Sequence, residues 1–362
     1  MGAGKSRSAI VGLGVSTLVR KYDLTADHYA AQAVDLAVAD AGLEPAQIDG
    51  LLINRSPVAS DQELSLTFQT RMGYQNLSLM AEINGEGSSA IQMVQYATLA
   101  IAAGLATRVA CVFADTPLKP NMTGSDAFSM ALPIMDVEGW ERVSGLYGPV
   151  GAFALFAGYH MGLHGITEEQ LSAVAISNRR WALMNPDARL RKPLTAESYF
   201  KSPVVATPFR VFDCAYPVNG AAAVIVSAVD TAVAARRPAY VAGMGQGHSS
   251  DAFRSIEKGE MSGAGMAAKT AYAMAGVGPK DITSRQIYDA FSHATLYALE
   301  EYGFCERGGS GELVAAGELA PGGTLPTNTG GGHLSCYYLQ GMTPLLEAVR
   351  QVRGGLGERQ MP

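Results

Sequence analysis

The chain repeats itself at long range. AVDLAVADAGLEPAQI, from Ala33 to Ile48, returns as AAKTAYAMAGVGPKDI from Ala267 to Ile282. Ala33, Ala37, Ala41, Gly42, Pro45 and Ile48 recur at Ala267, Ala271, Ala275, Gly276, Pro279 and Ile282, a constant offset of 234. Alanines four apart lay a small-residue stripe along one helix face, and the glycine closes the helix before a short loop. A glycine-bearing apolar run precedes each helix, Ala9 to Gly14 and Ala239 to Gly245. A second apolar run follows, Leu51-Leu52-Ile53 and Gln286-Ile287-Tyr288. Asn84-Gly85-Glu86-Gly87-Ser88 is then expected to open a helix to about Gly104, and Gly330-Gly331-Gly332-His333 one to about Arg353. Each half reads strand, helix, strand, then Gly-rich turn into helix, which predicts a layered α/β architecture. The boundary is expected near Ala235-Arg236-Arg237-Pro238, giving halves of 1–235 and 236–362. Residues from about 115 to 210 have no counterpart in the second half and are expected to form an inserted cap.

Composition narrows the function classes. Of 362 residues, 48% are hydrophobic and 17% charged, which suits a well-buried enzyme. The net charge of −6 comes without a basic block, so no nucleic acid partner is expected. Met1 to Arg20 lacks a long apolar core, and the apolar window Gly148 to Gly165 is broken by glycines and two histidines; neither a leader nor a membrane span is expected. Cys111, Cys214, Cys305 and Cys336 are far apart with no CxxC, which fits a reduced, cytoplasmic setting. Two phosphate-site decoys fail. Gly2-Ala3-Gly4-Lys5-Ser6 lacks the upstream glycine and strand of a phosphate loop, and Gly12-Leu13-Gly14 lacks the third glycine of a dinucleotide site.

Two C-terminal segments, Tyr288-Asp289-Ala290-Phe291-Ser292 and Asn328-Thr329-Gly330-Gly331-Gly332 through Tyr338, resemble the signature segments of the thiolase superfamily in its sterol-carrier-type branch. Asp213-Cys214 followed by Asn219-Gly220-Ala221-Ala222-Ala223 is similar to that branch's Cys-x-x-x-(Ser/Asp)-Gly-Ala-Ala segment. Glu300-Glu301-Tyr302-Gly303-Phe304-Cys305 and Gly341 to Arg353 resemble its later helices. The resemblance implies a thiolase fold: two duplicated βαβαβαββ halves stacked in five layers (αβαβα), with the inserted cap. It also implies a homodimer core formed through central strands.

The departures from that pattern point to the chemistry. Where thiolases carry a nucleophilic cysteine at a helix start this chain has Gly85, so the family's acyl-enzyme route is excluded. Ser88 and Ser89 beside it are read as helix-capping hydroxyls. Tyr288 falls where the family has the histidine of His-Asp-Cys-Phe, and Tyr338 where it has that of Gly-His-Pro. Two tyrosines at these positions resemble the steroid side-chain-cleaving aldolases, which work with a separate partner protein. The resemblance implies retro-aldol cleavage of a β-hydroxyacyl-CoA, with the thioester as substrate and no other cofactor.

A retro-aldol step needs a base for the β-hydroxyl and an acid for the enolate, and positioned side chains supply such transfers with about 10²–10⁴-fold acceleration. A phenol near its reference pKa is a poor base; lowering it by three units takes about 4 kcal/mol. Tyr338, expected at a helix start, is the better candidate for the base, with Tyr288 as acid or oxygen holder. The reverse assignment stays open.

His293, His333 and His248 are further candidates to orient substrate, and Gly85 and Gly332 to leave room for it. His160 and His164 have metal-ligand spacing, but no glutamate completes HExxH and no third ligand is apparent, so no metal is expected. Two other readings compete. One is a non-catalytic thiolase-like subunit that docks an OB-fold/zinc-ribbon partner; the other is an acyltransferase using Cys336 or a serine.

Overall fold

The computed structural model describes residues 8–56, 58, 65–130, 136–231, 237–249, 258 and 261–362. In chain order the first elements are β1 (Ser8–Val15), α1 (Ala26–Asp40), β2 (Gly50–Asn54), α2 (Ser65–Arg71), β3 (Leu79–Ile83), α3 (Ser89–Ala102), β4 (Arg108–Asp115) and α4 (Gly124–Met130). The middle holds α5 (Asp136–Val143), α6 (Gly148–His164), α7 (Glu168–Leu183), α8 (Ala196–Phe200), β5 (Val204–Ala206) and β6 (Phe209–Arg210). The last part holds β7 (Gly220–Ala228), β8 (Ala239–Tyr240), α9 (Gly263–Ala275), α10 (Ser292–Glu301), α11 (Ser310–Ala315) and α12 (Met342–Arg353).

These elements form two compact units. One comprises Met1–Ala131, Pro217–Ala242 and Leu339–Gly355, and the other Leu132–Tyr216, Gly243–Tyr338 and Leu356–Pro362. The first carries a six-stranded sheet of order β3-β2-β4-β7-β1-β8, parallel at β3/β2/β4 and antiparallel from β4 onward. Its core joins the alanine face of α1 to Leu51, Ile53, Val112 and Ile225. In the second unit, residues of the expected cap, among them Ala157, Leu171, Val174 and Tyr199, share one core with Ile287, Leu296, Leu299 and Leu334. Compactness therefore divides the chain differently from the duplication, because the inserted segment buries its apolar face against C-terminal elements.

The duplication has a packing reason that repeats inside each unit. In the first, a Cβ on Gly12 or Gly14 would overlap the carbonyl oxygens of Ala37 and Ala33 on α1. In the second, a Cβ on Gly243 or Gly245 would overlap those of Ala271 and Ala267 on α9. Backbone approaches this close tolerate only glycine facing alanine, so the small residues recur with the packing they permit.

The second correspondence needs a correction. Gly85 does lead through Glu86–Ser88 into α3 as expected. The C-terminal Gly-rich turn does not open a helix to Arg353: Gly332–Cys336 form a single π turn, Tyr337 is extended, and α12 begins at Met342. The carbonyls of His333, Ser335 and Cys336 accept N–H groups from Tyr216, Leu190 and Arg189, at 2.9, 3.0 and 3.0 Å. With those acceptors engaged sideways by the inserted segment and by Tyr216 just after it, the helical ladder has nothing on which to continue. Tyr338 therefore does not stand at a helix start, and the dipole argument for it as the base is lost.

Candidate active site

Within the second unit the two tyrosines meet. The Tyr288 and Tyr338 hydroxyls lie 2.8 Å apart, with ring centroids 6.3 Å apart at 75°. Both residues are half-buried, so the pair is neither sealed nor fully solvated. Tyr288 is held by its strand neighbours. Arg285 N–H donates to the Pro326 carbonyl (3.1 Å), Asn328 N–H to that of Arg285 (2.8 Å), and Ile287 N–H to Asn328 Oδ1 (2.8 Å). The strand expected at Gln286–Tyr288 is thus pinned by a side chain instead of a full ladder. Tyr338 is fixed by its own N–H donating to the Tyr216 carbonyl at 2.9 Å.

His333 packs against both phenols, with centroids 4.8 Å from Tyr288 and 5.2 Å from Tyr338. Its ring and the Asp289 carboxylate are fully buried. Asp289 Oδ1 accepts the His333 backbone N–H at 2.8 Å and faces His333 Nδ1 at 2.8 Å, while Oδ2 accepts from Asn178 Nδ2 at 2.5 Å. Gly332 lies against this cluster with φ 57, where a Cβ would overlap Asp289 Oδ2. Its role is to make room for the carboxylate. Sequence reasoning placed His333 and Gly332 near the tyrosines but missed Asp289 and Asn178. Asp289 sat inside the quoted segment; Asn178, in the inserted segment, had no local signal.

The thiol reading loses support here. Cys336 is buried and accepts a hydrogen bond from Asn185 Nδ2 at 3.5 Å. Burial pushes the thiols of Cys214 and Cys305 up to about 12, away from thiolate character. Gly85, in the first unit, donates its N–H to Ser89 Oγ at 2.8 Å and accepts from Ser88 Oγ at 2.5 Å, so both serines bond the Gly85 backbone instead of capping α3.

His293 sits elsewhere in the second unit than as a flank of Tyr288. Its Nε2 lies 2.9 Å from His160 Nδ1, and His160 Nε2 lies 3.0 Å from Glu300 Oε2. Burial opposes the charge of Glu300, yet hydrogen bonds from His160 and Ser310 bring its carboxyl below the usual range. A carboxylate there makes His160 Nε2–H the donor, His160 Nδ1 the acceptor from His293, and His293 Nδ1 a bare nitrogen without a hydrogen-bond partner among the described residues. Glu300 also supplies the third ligand type that the sequence did not reveal, since His160, His164 and Glu300 offer atoms within 4.8 Å of one another. Both nitrogens of His160 are already engaged, so the cluster reads as a hydrogen-bonded relay. His248 is exposed and lies 3.1 Å from its neighbour Gln246. A separate buried carboxylate, Asp213, accepts from Ser292 Oγ (2.6 Å), Tyr199 hydroxyl (2.5 Å) and Arg210 N–H (2.8 Å), and thereby anchors the start of α10.

The buried relay carries a pH prediction. Burial first, and the neighbouring His160 second, lower the His293 imidazole to about 3. The unfolded ring takes up a proton near 6.5, so between those values the unfolded chain binds more protons and stability falls as the pH falls. From pH 7 to pH 5 the loss from this group should be about 2 kcal/mol. Urea unfolding at both pH values checks it: His293→Gln keeps a donor toward His160 and should show a correspondingly smaller drop. Burial holds the Asp213 carboxyl above its usual value, which acts in the opposite sense at the acid end but cancels between the two proteins. An equal drop in both would remove the assignment.

Comparison with known proteins decides the family. Residues 245–362 match the thiolase C-terminal domain-like family. The chain is 32% identical over 359 residues to the 17-hydroxy-3-oxo-4-pregnene-20-carboxyl-CoA lyase of Mycobacterium tuberculosis, covering 96% of this chain and 92% of the relative. It belongs to the steroid side-chain-cleaving aldolase branch of the thiolase superfamily. A steroid side-chain-cleaving aldolase of Thermomonospora curvata is likewise 32% identical, over 96% of this chain and 90% of its own length. The solved Ltp2-ChsH2(DUF35) aldolase superimposes with a TM-score of 0.87 at 31% identity, over 98% of this aldolase-branch chain and 92% of the other. The thiolase-fold expectation holds. No helix among the described residues is long and apolar enough to cross a membrane.

Proposed function

We propose that the chain is a carbon–carbon lyase that cleaves a β-hydroxyacyl-CoA by a retro-aldol reaction, with Tyr288 and Tyr338 as its acid–base pair. The observation that carries this reading is the 2.8 Å contact between the hydroxyls of two half-buried tyrosines on the positions where thiolases hold histidines. One phenol oxygen, as base, takes the proton of the substrate β-hydroxyl. The Cα–Cβ bond breaks as the new carbonyl forms, and its electron pair moves into the thioester enolate. Protonation of Cα then yields the shorter acyl-CoA and releases the ketone. One proton travels from oxygen to carbon, so the reaction balances without a redox or electrophilic cofactor. Two phenols in hydrogen-bond contact suit that traffic, because a phenolate formed by one is stabilised by a charge-assisted bond from the other. Base and acid are then properties of the couple.

The printed names of the relatives support a steroid side-chain CoA ester as the substrate class. They also support a second protein in the working assembly, since the solved relative is described as an Ltp2-ChsH2(DUF35) aldolase. An OB-fold/zinc-ribbon partner, a homodimer core and a cytoplasmic setting belong to the same proposal. For the dimer the supporting feature is β3, which lies at one edge of the six-stranded sheet and offers its strand for pairing.

The purified chain, with and without a candidate partner, should release ketone from at least one bulky β-hydroxyacyl-CoA in a panel of such esters, read by mass spectrometry. Absence of ketone under both conditions across the panel, steroid side-chain esters included, would end the lyase reading.

A further inference from the structure

We infer that Asn178 and Asp289 are positioning residues that lock the His333 imidazole against both phenols and thereby set the geometry of the Tyr288–Tyr338 pair; this rests on the lyase reading above. Asp289 has one contact that demands interpretation. His333 Nδ1 lies 2.8 Å from Asp289 Oδ1 but also 3.2 Å from the Asp289 backbone N–H, and the two contacts require opposite roles of the nitrogen. The carboxylate contact is the shorter and is charge-assisted, so Nδ1 carries the proton and donates to Asp289. The tautomer follows, with Nε2 as the ring's acceptor edge.

Fixing the tautomer also fixes the ring plane. The imidazole meets Tyr288 at 61° and Tyr338 at 60°, so any rotation of it must displace both phenols. Asn178 completes the arrangement from outside. It is itself buried, it comes from α7 in the inserted segment, and its amide donates to the Asp289 oxygen that His333 leaves unused. The neighbouring turn of α7 braces the same loop: Arg179 Nε donates to Ser335 Oγ at 2.9 Å, and Asn185 Nδ2, just beyond the helix, to the Gly330 carbonyl at 2.8 Å. The inserted segment thus reaches the tyrosine pair through two contacts, Asn178 to Asp289 and Asp289 to His333. Misplacing reacting groups by about 1 Å can cost about 10²-fold in rate, which sets the scale for losing this brace.

The test compares wild type, Asp289→Asn, and the swap Asp289→Asn with Asn178→Asp. In the single variant, an amide at position 289 that keeps its oxygen on His333 turns its nitrogen toward Asn178 Nδ2, so one of the two amides must flip out of its present hydrogen bonds, while the swap restores a donor opposite an acceptor with the negative charge moved one residue outward. Positioning predicts that kcat falls by about 10–100-fold in the single variant, with KM changed less than about threefold, and that the swap recovers about tenfold. An unchanged kcat in folded Asp289→Asn overturns the inference, as does a loss that the swap leaves uncorrected, because charge would then be the operative property. Should Asp289→Asn not fold, Asn178→Ala removes only the outer donor and is expected to lower kcat about 3–10-fold; no change there is equally decisive. If wild type releases no ketone, the lyase reading fails separately. The brace is then judged by tyrosinate ultraviolet absorbance, taken as the difference from Tyr288→Phe/Tyr338→Phe. The midpoint of the pair should move by more than about half a pH unit in Asp289→Asn and return in the swap; a static midpoint overturns it.

Discussion

Replacing Tyr288 and Tyr338 together by phenylalanine should lower kcat/KM for ketone release by about 10²–10⁴-fold, or about 3–5 kcal/mol of transition-state stabilisation. The magnitude is what positioned proton transfer supplies, and none of the four cysteines offers a nucleophilic bypass: burial raises Cys214 and Cys305, and Cys111 and Cys336 are buried. Each single variant should fall nearly as far as the double. The hydroxyls share one hydrogen bond at 2.8 Å, so removing either deprives the other of its partner, and groups that act as a unit are strongly non-additive. The ring volume stays, so unfolding stability should change by no more than about 0.5–1.5 kcal/mol. Singles whose losses add up to that of the double would argue against a coupled pair. Full activity in the double would remove the pair from the chemistry and favour a subunit that binds without catalysing.

The meeting of the two tyrosines was legible because each occupies a position inside a short quoted segment, and the fold brings the segments together wherever the resemblance holds. The duplication was legible for a stronger reason: Gly12 against Ala37 and Gly243 against Ala271 are contacts that only the smallest residues allow, so packing leaves its mark on residue identity. Polar partners leave no such mark. Asn178 and Asp289 are 111 positions apart, and nothing in the local pattern of either distinguishes a buried brace from a surface amide. Glu300, joined to His160 across 140 positions, was invisible for the same reason. The helix expected from Gly330 failed on backbone accounting. Periodicity cannot show that Tyr216, Leu190 and Arg189 will claim the carbonyls on which the next turn depends. The dipole argument for Tyr338 as the base fell with that helix, while the two hydroxyls still meet.

Gly332→Ala should cost both stability and activity. Two costs combine. At φ 57 an alanine stands in the left-handed region, worth roughly 1–2 kcal/mol, and its Cβ would overlap Asp289 Oδ2 and lie 2.7 Å from Asn178 Nδ2. Neither side chain is free to swing away, since Asp289 is held by His333 and Asn178 and all three are buried. Relief must come from breaking the brace or shifting the turn, which adds about 1–3 kcal/mol of overpacking. Gly317→Ala provides the control: its φ of 82 carries the backbone cost, but no atom lies within 4 Å of the added carbon. Denaturant unfolding should place Gly332→Ala below wild type by roughly 2–5 kcal/mol and Gly317→Ala by roughly 1–2. Only the former should also lose ketone release in proportion to the displaced phenols. Equal losses in the two variants, with activity kept in both, would mean that the carboxylate moves aside at no cost and that the space at Gly332 has no bearing on the site.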